Sequence, residues 1–178
     1  IDGHVATVEV DISPGLPSFD IVGLPATSVK EAKERVRSAI KNGGFEFPMK
    51  RIVVNLAPAH IRKDGSSLDL AIAMGILAAQ QEGKHKKKQS IQWNHHVFIG
   101  ELSLDGSLQP VMGMLSMVMG VTNQELGNDH SCTPMVEDII VPLGNHDEAT
   151  SGSSMPVYGL STLSEVVELV EHPEKKEK

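Results

Sequence analysis

Apolar and polar residues alternate in two short stretches near the start of the chain. Val8, Val10 and Ile12 form the first series, and Phe19 and Ile21 form a second one after a break with two prolines. A period of two is typical of a strand that buries one face. Two such strands across a short turn predict a hairpin-like pair.

Apolar residues then recur at helical spacing, which predicts four helices. In the first helix, Ser28 with Glu31 predicts a capping box at the start, and Asn42-Gly43-Gly44 predicts a left-handed stop. We expect Thr162 or Ser161 to cap the last helix. The apolar residues that carry the four predictions lie at Val29–Ile40, Leu68–Ala78, Met112–Met119 and Val166–Val170.

The remaining apolar segments predict further strands and one hairpin. Asp105-Gly106 separates two apolar runs, Val97–Leu102 and Leu104–Leu108, which is a strong hairpin signal. The predicted strands outside this hairpin lie around Ile52–Leu56, Ile139–Val141 and Pro156–Tyr158. The predicted order β-β-α-β-α-β-β-α-β-β-α indicates an α/β fold, a sandwich in which helices pack on a mixed sheet. We expect polar residues 81–96 and 127–136 to form loops.

Charge is distributed unevenly along the chain. The 178 residues carry a formal net charge of −7, which argues against a general nucleic-acid binder. Residues 28–88 nevertheless hold 13 of the 16 Lys and Arg residues, and no Lys or Arg lies between Lys88 and Lys175. Such segregation predicts either a surface that attracts anions or separate solvated helices with their own charge bias.

Composition limits the remaining possibilities. With one cysteine, Cys132, the chain cannot form an internal disulfide, and we expect a cytoplasmic, reducing setting. No apolar run approaches the roughly 20 residues of a membrane span. The chain lacks an initiator Met, which suggests a piece of a longer protein.

Several long motifs resemble one protein family over almost the whole chain. They are Ile21-Val-Gly-Leu-Pro25, Asn42-Gly-Gly-Phe-Glu-Phe-Pro48, Arg51–Pro58, Lys63–Leu70 and Gly100-Glu-Leu-Ser-Leu-Asp-Gly106. Together they resemble the N-terminal domain of the ComM/YifB proteins, the magnesium-chelatase-like AAA+ ATPases. The resemblance implies a Lon-protease-like fold, shared with the second domain of a ribosomal protein, for residues 1–172. Residues 173–178 would then begin a linker to an ATPase domain.

The same resemblance implies a parent protein that binds ATP and Mg²⁺ downstream, assembles into a homo-oligomeric ring and acts in DNA branch migration during transformation. Within the chain itself, the only Gly-Lys pair, Gly83-Lys84, is followed by His85 and lacks the spacing of a phosphate-binding loop. We therefore expect no cofactor in this chain. We expect neither a membrane nor a small-molecule substrate as partner.

A Lon-type peptidase would need a serine nucleophile and a lysine base. By resemblance, Ser67 matches the nucleophile, while the lysine position falls on or near Leu115, which cannot accept a proton. The turn is expected to direct Lys63 elsewhere. We therefore expect no catalysis and interpret Ser66 or Ser67 as a helix cap.

Phosphate contacts need only positive charge, and one helix and the next strand and turn supply it. The candidate contacts to DNA or to another subunit are Lys30, Lys33, Arg35, Arg37, Lys41, Arg51, Arg62 and Lys63. His95-His96 and His130-x-Cys132 lack the spacing of a zinc site, so we expect no metal and solvent-exposed side chains.

Three hypotheses follow. The favoured one is a non-catalytic accessory domain of a ring-forming ATPase that acts on DNA. The alternatives are a Lon-like Ser/Lys peptidase and a stand-alone nucleic-acid-binding module.

Overall fold

Three strands, β1 (Thr7–Ser13), β2 (Ser18–Val22) and β3 (Arg51–Ala57), form the first sheet in the order β1-β3-β2. The computed structural model describes residues 3–61, 63, 65–84, 93–127 and 135–177. β3 pairs antiparallel with β1 and parallel with β2. The predicted hairpin of β1 with β2 is therefore wrong. The strand with the three fully buried residues Ile52, Val54 and Leu56 takes the centre instead.

Helices α1 (Ala26–Asn42) and α2 (Asp69–Lys84) cover one face of this sheet. Buried residues of both helices join the same apolar cluster as Val54 and Ile21. Residue Gly75 of α2 lies directly against Val8 and Val10 of β1. The other face of the sheet carries no helix among the described residues, and its side chains are exposed or half-buried.

The ends of α1 follow the predictions only in part. The helix begins after Pro25, whose carbonyl accepts hydrogen bonds from the backbone N–H groups of Ser28 and Val29, without a side-chain cap. The predicted capping box at Ser28 is therefore wrong. At the other end, Phe45 N donates to Ile40 O at 3.0 Å and Gly44 has φ +89°, which is the predicted left-handed stop.

A second sheet consists of the parallel strands β4 (His96–Phe98), β7 (Asp138–Pro142) and β8 (Val157–Leu160), with β7 in the centre. All five residues of β7 are buried, as expected for a parallel strand covered on both faces. Ile140 packs into the cluster shared with the first sheet, and α5 (Leu163–Glu171) belongs to that side. Ile139 and Val141 face a second cluster with α3 (Met114–Gly127) and α4 (His146–Gly152).

Strands β5 (Glu101–Leu102) and β6 (Leu108–Gln109) form the predicted hairpin around Asp105-Gly106. The strand expected to run unbroken from Val97 is interrupted before β5. The reason is that Gly100 leaves the sheet to hydrogen-bond with the turn that precedes α2, through Ser67 O at 2.9 Å.

Several other predictions need correction. Met112 is not part of the predicted helix, since α3 begins after Gly113, at Met114, and Met112 is 94% exposed. The residues of α3 that face the core are Met114, Val118 and Val121. The expected loop at 81–96 is partly wrong, since residues 81–84 continue α2 and Trp93–His95 forms a 3₁₀ helix with a buried Trp93. Residues 85–92 and 128–134, which make up half of the first predicted loop and most of the second, lie outside the described part of the chain.

The predicted α/β fold class is confirmed by this arrangement of helices on mixed sheets. Helix α4 was not predicted, because only Ala149 of its seven residues is buried and no apolar period results. The cap of α5 is Thr162, whose Oγ1 accepts a hydrogen bond from Glu165 N at 3.1 Å. Residues beyond α5 form a 3₁₀ helix, Pro173–Glu177.

Candidate functional site

The turn before α2 contains Ser67, the residue that matches the serine nucleophile of Lon-type peptidases. Ser67 O accepts a hydrogen bond from Gly100 N, and Gly100 O accepts one from Leu70 N at 3.1 Å. The Ser66 hydroxyl donates to the Glu101 carboxylate. Because α2 begins at Asp69 and the Ser66 hydroxyl bonds elsewhere, the prediction of a serine cap is wrong. Among the described residues, the Ser67 hydroxyl makes no hydrogen bond.

Lys63 directs its ammonium group inward. The side chain is buried, and Nζ donates to Pro58 O at 2.6 Å and to Ile61 O at 2.9 Å. Leu115, at the position where the resemblance places the peptidase lysine, lies in α3 and is 41% exposed. Within the described residues, no amine lies at hydrogen-bond distance from the Ser67 hydroxyl.

Arg35 is bound inside the molecule. Its Nε donates to Asp69 Oδ2 at 2.7 Å, which joins α1 to α2, and Asp69 also accepts a hydrogen bond from Leu102 N at 3.2 Å. Burial raises the pKa of Asp69, and the hydrogen bond from Arg35 opposes that shift. The same bond raises the pKa of Arg35. Sequence reasoning missed Asp69, because a carboxylate in the first turn of a helix usually needs no partner.

The other cations of α1 form a group that we call the basic face: Lys30 and Lys41, which are exposed, and Lys33 and Arg37, which are half-buried. Residues i, i+7 and i+11 of a helix lie along one side, so Lys30, Arg37 and Lys41 form one stripe with Lys33 beside it. Arg37 is held over the rings of Phe19 and Phe47, 5.9 and 5.6 Å from their centroids. Glu31 and Glu34 lie on the same helix and dilute the positive charge.

The remaining candidate contacts are not part of this face. Arg51 is exposed at the start of β3, but it alternates with the buried Ile52 and so belongs to the uncovered face of the first sheet. Lys63 is buried, and Arg35 is paired with Asp69. Arg62 lies outside the described residues. The structure therefore groups four of the eight predicted residues.

A second polar cluster lies at the amino end of the parallel sheet. Asp138 accepts hydrogen bonds from His96 Nδ1 at 2.5 Å and from Lys176 Nζ at 2.6 Å. Burial opposes ionisation of Asp138, but the bonds from His96 and Lys176 outweigh it and place its pKa below the usual range. The expectation that His95-His96 is a solvent-exposed loop pair is wrong. His96 lies in β4 with its side chain 7% exposed, and His95 ends a 3₁₀ helix with its side chain half-buried.

Sequence reasoning missed this cluster, because its three members lie far apart in the chain. Among the described residues no group of three His, Cys, Asp or Glu side chains is arranged to hold a metal ion. His130 and Cys132 lie outside those residues. A search of the described helices for one that is long and apolar enough to cross a membrane found none.

Comparison with known proteins gives consistent matches. The family described as subunit ChlI of Mg-chelatase matches residues 8–132. The competence protein ComM of Haemophilus influenzae is 37% identical over 177 residues, which is 98% of this chain and 31% of that protein. The uncharacterized protein YifB of Escherichia coli K12 is 49% identical over 110 residues, 62% of this chain and 21% of that protein.

An uncharacterized protein of Mycobacterium tuberculosis H37Rv, Rv2897c, is 35% identical over 166 residues, 93% of this chain and 30% of that protein. The chain thus spans about a third of ComM's length, or less of the others. The resemblance carried by the sequence motifs is confirmed by these matches.

Proposed function

Because the chain belongs to the family of subunit ChlI of Mg-chelatase, a family of AAA+ ATPases, we propose that it is a non-catalytic accessory domain of a ring-forming ATPase that acts on DNA. The word competence in the name of the Haemophilus relative supports a role in transformation, with branch migration as the reaction of the parent. ATP and Mg²⁺ would bind to parts of the parent outside these residues. We expect the parent to be cytoplasmic.

The observation that carries the proposal is the basic face of α1. Four cations are collected on one helix of a chain whose net charge is negative. Lys30 and Lys41 are exposed and have no ion-pair partner among the described residues, so their ammonium groups are available to a partner. Such a surface suits contact with phosphates or with an acidic protein surface.

Titration of the chain with linear and branched DNA at several salt concentrations tests the DNA contact. Each neutralised phosphate contributes a slope of about −0.9 to the plot of log K against log salt. The variant Lys30→Glu/Lys33→Glu should weaken binding and reduce the magnitude of the slope by about 2. Lys175→Glu, which changes a lysine outside the basic face, is the matched control. A wild-type slope near zero would remove DNA contact from the proposal.

A Lon-like peptidase remains the second candidate, because the Ser67 hydroxyl is free of hydrogen bonds among the described residues. The proposal expects no labelling by a fluorophosphonate probe, since no amine within those residues can take the proton. Labelling of the wild type that disappears in Ser67→Ala would overturn the non-catalytic role. Labelling that persists in Ser67→Ala would come from another residue and would leave Ser67 silent.

A further inference from the structure

The uncovered face of the first sheet is acidic. Its residues alternate with the buried ones, and the register places Asp11 of β1, Val53 of β3 and Asp20 of β2 side by side in one row. Glu9 lies in the next row and accepts a hydrogen bond from Asn55 Nδ2 at 2.8 Å. We call Glu9, Asp11 and Asp20, with the Val53 between them, the acidic sheet face. Arg51, at its end, is the one cation that the described strands contribute to this face.

The basic face of α1 and the acidic sheet face are separated by the sheet. Helix α1 packs on the buried side of the sheet through Val36 and Ile40, and Arg37 lies over the ring of Phe19 in β2. The basic face therefore lies in the helix layer beside the β2 edge, while the acidic sheet face lies on the uncovered side of the sheet. The two faces therefore cannot contact each other within one molecule. They can do so between two molecules.

The spacing of the charges on the two faces is similar. Asp11 and Asp20 are separated by one strand, which is about 10 Å at the usual distance between neighbouring strands. Lys30 and Arg37 are seven residues apart on one side of α1, which is also about 10 Å at the rise of a helix. Two carboxylates can thus face Lys30 and the guanidinium of Arg37, which also lies 3.7 Å from the Glu34 carboxylate.

We propose that the acidic sheet face of one copy of this chain binds the basic face of α1 of a second copy. The inference rests on the contact role of α1 in the proposed function and names its partner as another subunit rather than DNA. Because the two faces are different surfaces of the chain, each contact leaves one free face at either end. Such head-to-tail contacts form a ring when the rotation between neighbours closes, and an open filament when it does not.

Apolar residues add to the sheet side of this contact. Val22 is 55% exposed on the same face, and Leu16 and Met49 are exposed in the two loops at the Arg51 end of the sheet. These loops are adjacent, since Ser18 N donates to Lys50 O at 3.3 Å. Charges alone would give a weak and salt-dependent association, and apolar contact at the edge of the face strengthens it.

Paired charge reversal tests this contact directly. In Lys30→Glu/Lys33→Glu both faces are acidic, and in Asp11→Lys/Asp20→Lys both faces are basic. We expect the wild type to self-associate in sedimentation experiments at about 50 mM salt and to dissociate at about 500 mM. Each variant alone should self-associate at least about tenfold more weakly, because every contact now opposes like charges.

An equimolar mixture of the two variants should recover association, because each of their faces then meets one of opposite sign. Both variants keep a net negative charge, so overall attraction does not explain a recovery. Asp147→Lys and Lys175→Glu, outside both faces, should associate like the wild type. A monomeric wild type, unweakened variants or a mixture that stays monomeric would each overturn the inference.

The DNA titration keeps this inference separate from the proposed function. Loss of DNA binding in Lys30→Glu/Lys33→Glu without any change in self-association would overturn the inference and leave the proposed function standing. Recovery of association in the mixture, with a wild-type DNA slope near zero, would support the subunit contact and remove the DNA contact.

Discussion

At the scale of single residues, the cations of this chain fall into different classes that the sequence does not distinguish. The ammonium group of Lys63 donates hydrogen bonds to two backbone carbonyls, Arg35 is paired with the buried Asp69, and Lys30 is exposed. Only the last kind is available to a partner. A mutation at Lys63 or Arg35 would therefore report on stability before it reports on binding.

Asp138 supports a prediction at this scale. Its pKa is lowered in the folded chain, so the carboxylate contributes stability that is fully present above the ordinary Asp pKa of about 4. This contribution is lost as the pH falls through the folded pKa. Asp138→Asn should lower the free energy of unfolding by about 3 kcal/mol at pH 7, because His96 and Lys176 lose a buried charged partner.

Denaturant unfolding of both proteins from pH 7 down to pH 3 measures this effect. The difference between wild type and Asp138→Asn should shrink below pH 4, while exposed Asp147→Asn should match the wild type throughout. A difference that stays constant over the whole range would show that the Asp138 charge does not stabilise the fold.

At the scale of elements, sequence patterns predicted correctly those features that depend on residues close together in the chain. The stop of α1 at Gly44, the cap of α5 at Thr162 and the hairpin at Asp105-Gly106 all depend on short-range hydrogen bonds. The partners of β1 and β2 did not follow from the same kind of signal. Alternation indicates which face of a strand is buried, but it carries no information about which strand lies beside it.

Packing of α2 against β1 provides a prediction for an element. A Cβ on Gly75 would lie 2.9 Å from Val10 Cγ2 and 3.2 Å from Val8 Cγ1, and both side chains are stiff because they branch at Cβ. Gly75→Ala should therefore lower the free energy of unfolding by about 1–2 kcal/mol, measured by denaturant unfolding.

The same helix supplies the matched control. No described heavy atom lies within 4 Å of the Cβ that Gly83→Ala would add. Alanine there should raise the stability of the chain by up to about 1 kcal/mol through its better helix propensity. Equal effects of the two substitutions would show that the contact between α2 and β1 tolerates the added methyl group.

At the scale of the whole molecule, β7 joins the two apolar clusters. Its neighbouring residues Ile139 and Ile140 are both fully buried and face opposite clusters. A destabilising substitution on one side of the second sheet should therefore also destabilise the apolar cluster on the other side, and the chain should unfold as one cooperative unit.

The single tryptophan makes this testable, since Trp93 belongs to the cluster opposite Ile139. Ile139→Ala should lower the free energy of unfolding by about 2–5 kcal/mol. The midpoint followed by Trp93 fluorescence should fall together with the midpoint followed by far-ultraviolet circular dichroism. Separate midpoints would show that the two clusters unfold independently.

The candidate site was predictable only as a set of residue types. The serine turn, the absent lysine near Leu115 and the cations of α1 could all be recognised in the sequence. Their environments could not. The Lys63 ammonium bonds backbone carbonyls of its own loop, which no side-chain pattern indicates, and the partner of Arg35 lies on a different helix. The cluster at Asp138, assembled from three distant segments, left no signal at all.

The sequence by itself determined the family, the α/β class and most of the helices, because motifs and apolar periods act through residues close together in the chain. Only the tertiary structure decided that β3 lies between β1 and β2, and that the acidic sheet face lies on the side of the sheet that α1 and its basic face do not cover. These features arise when distant segments bury a common core, and the final position of each charge follows from which side of that core its element occupies.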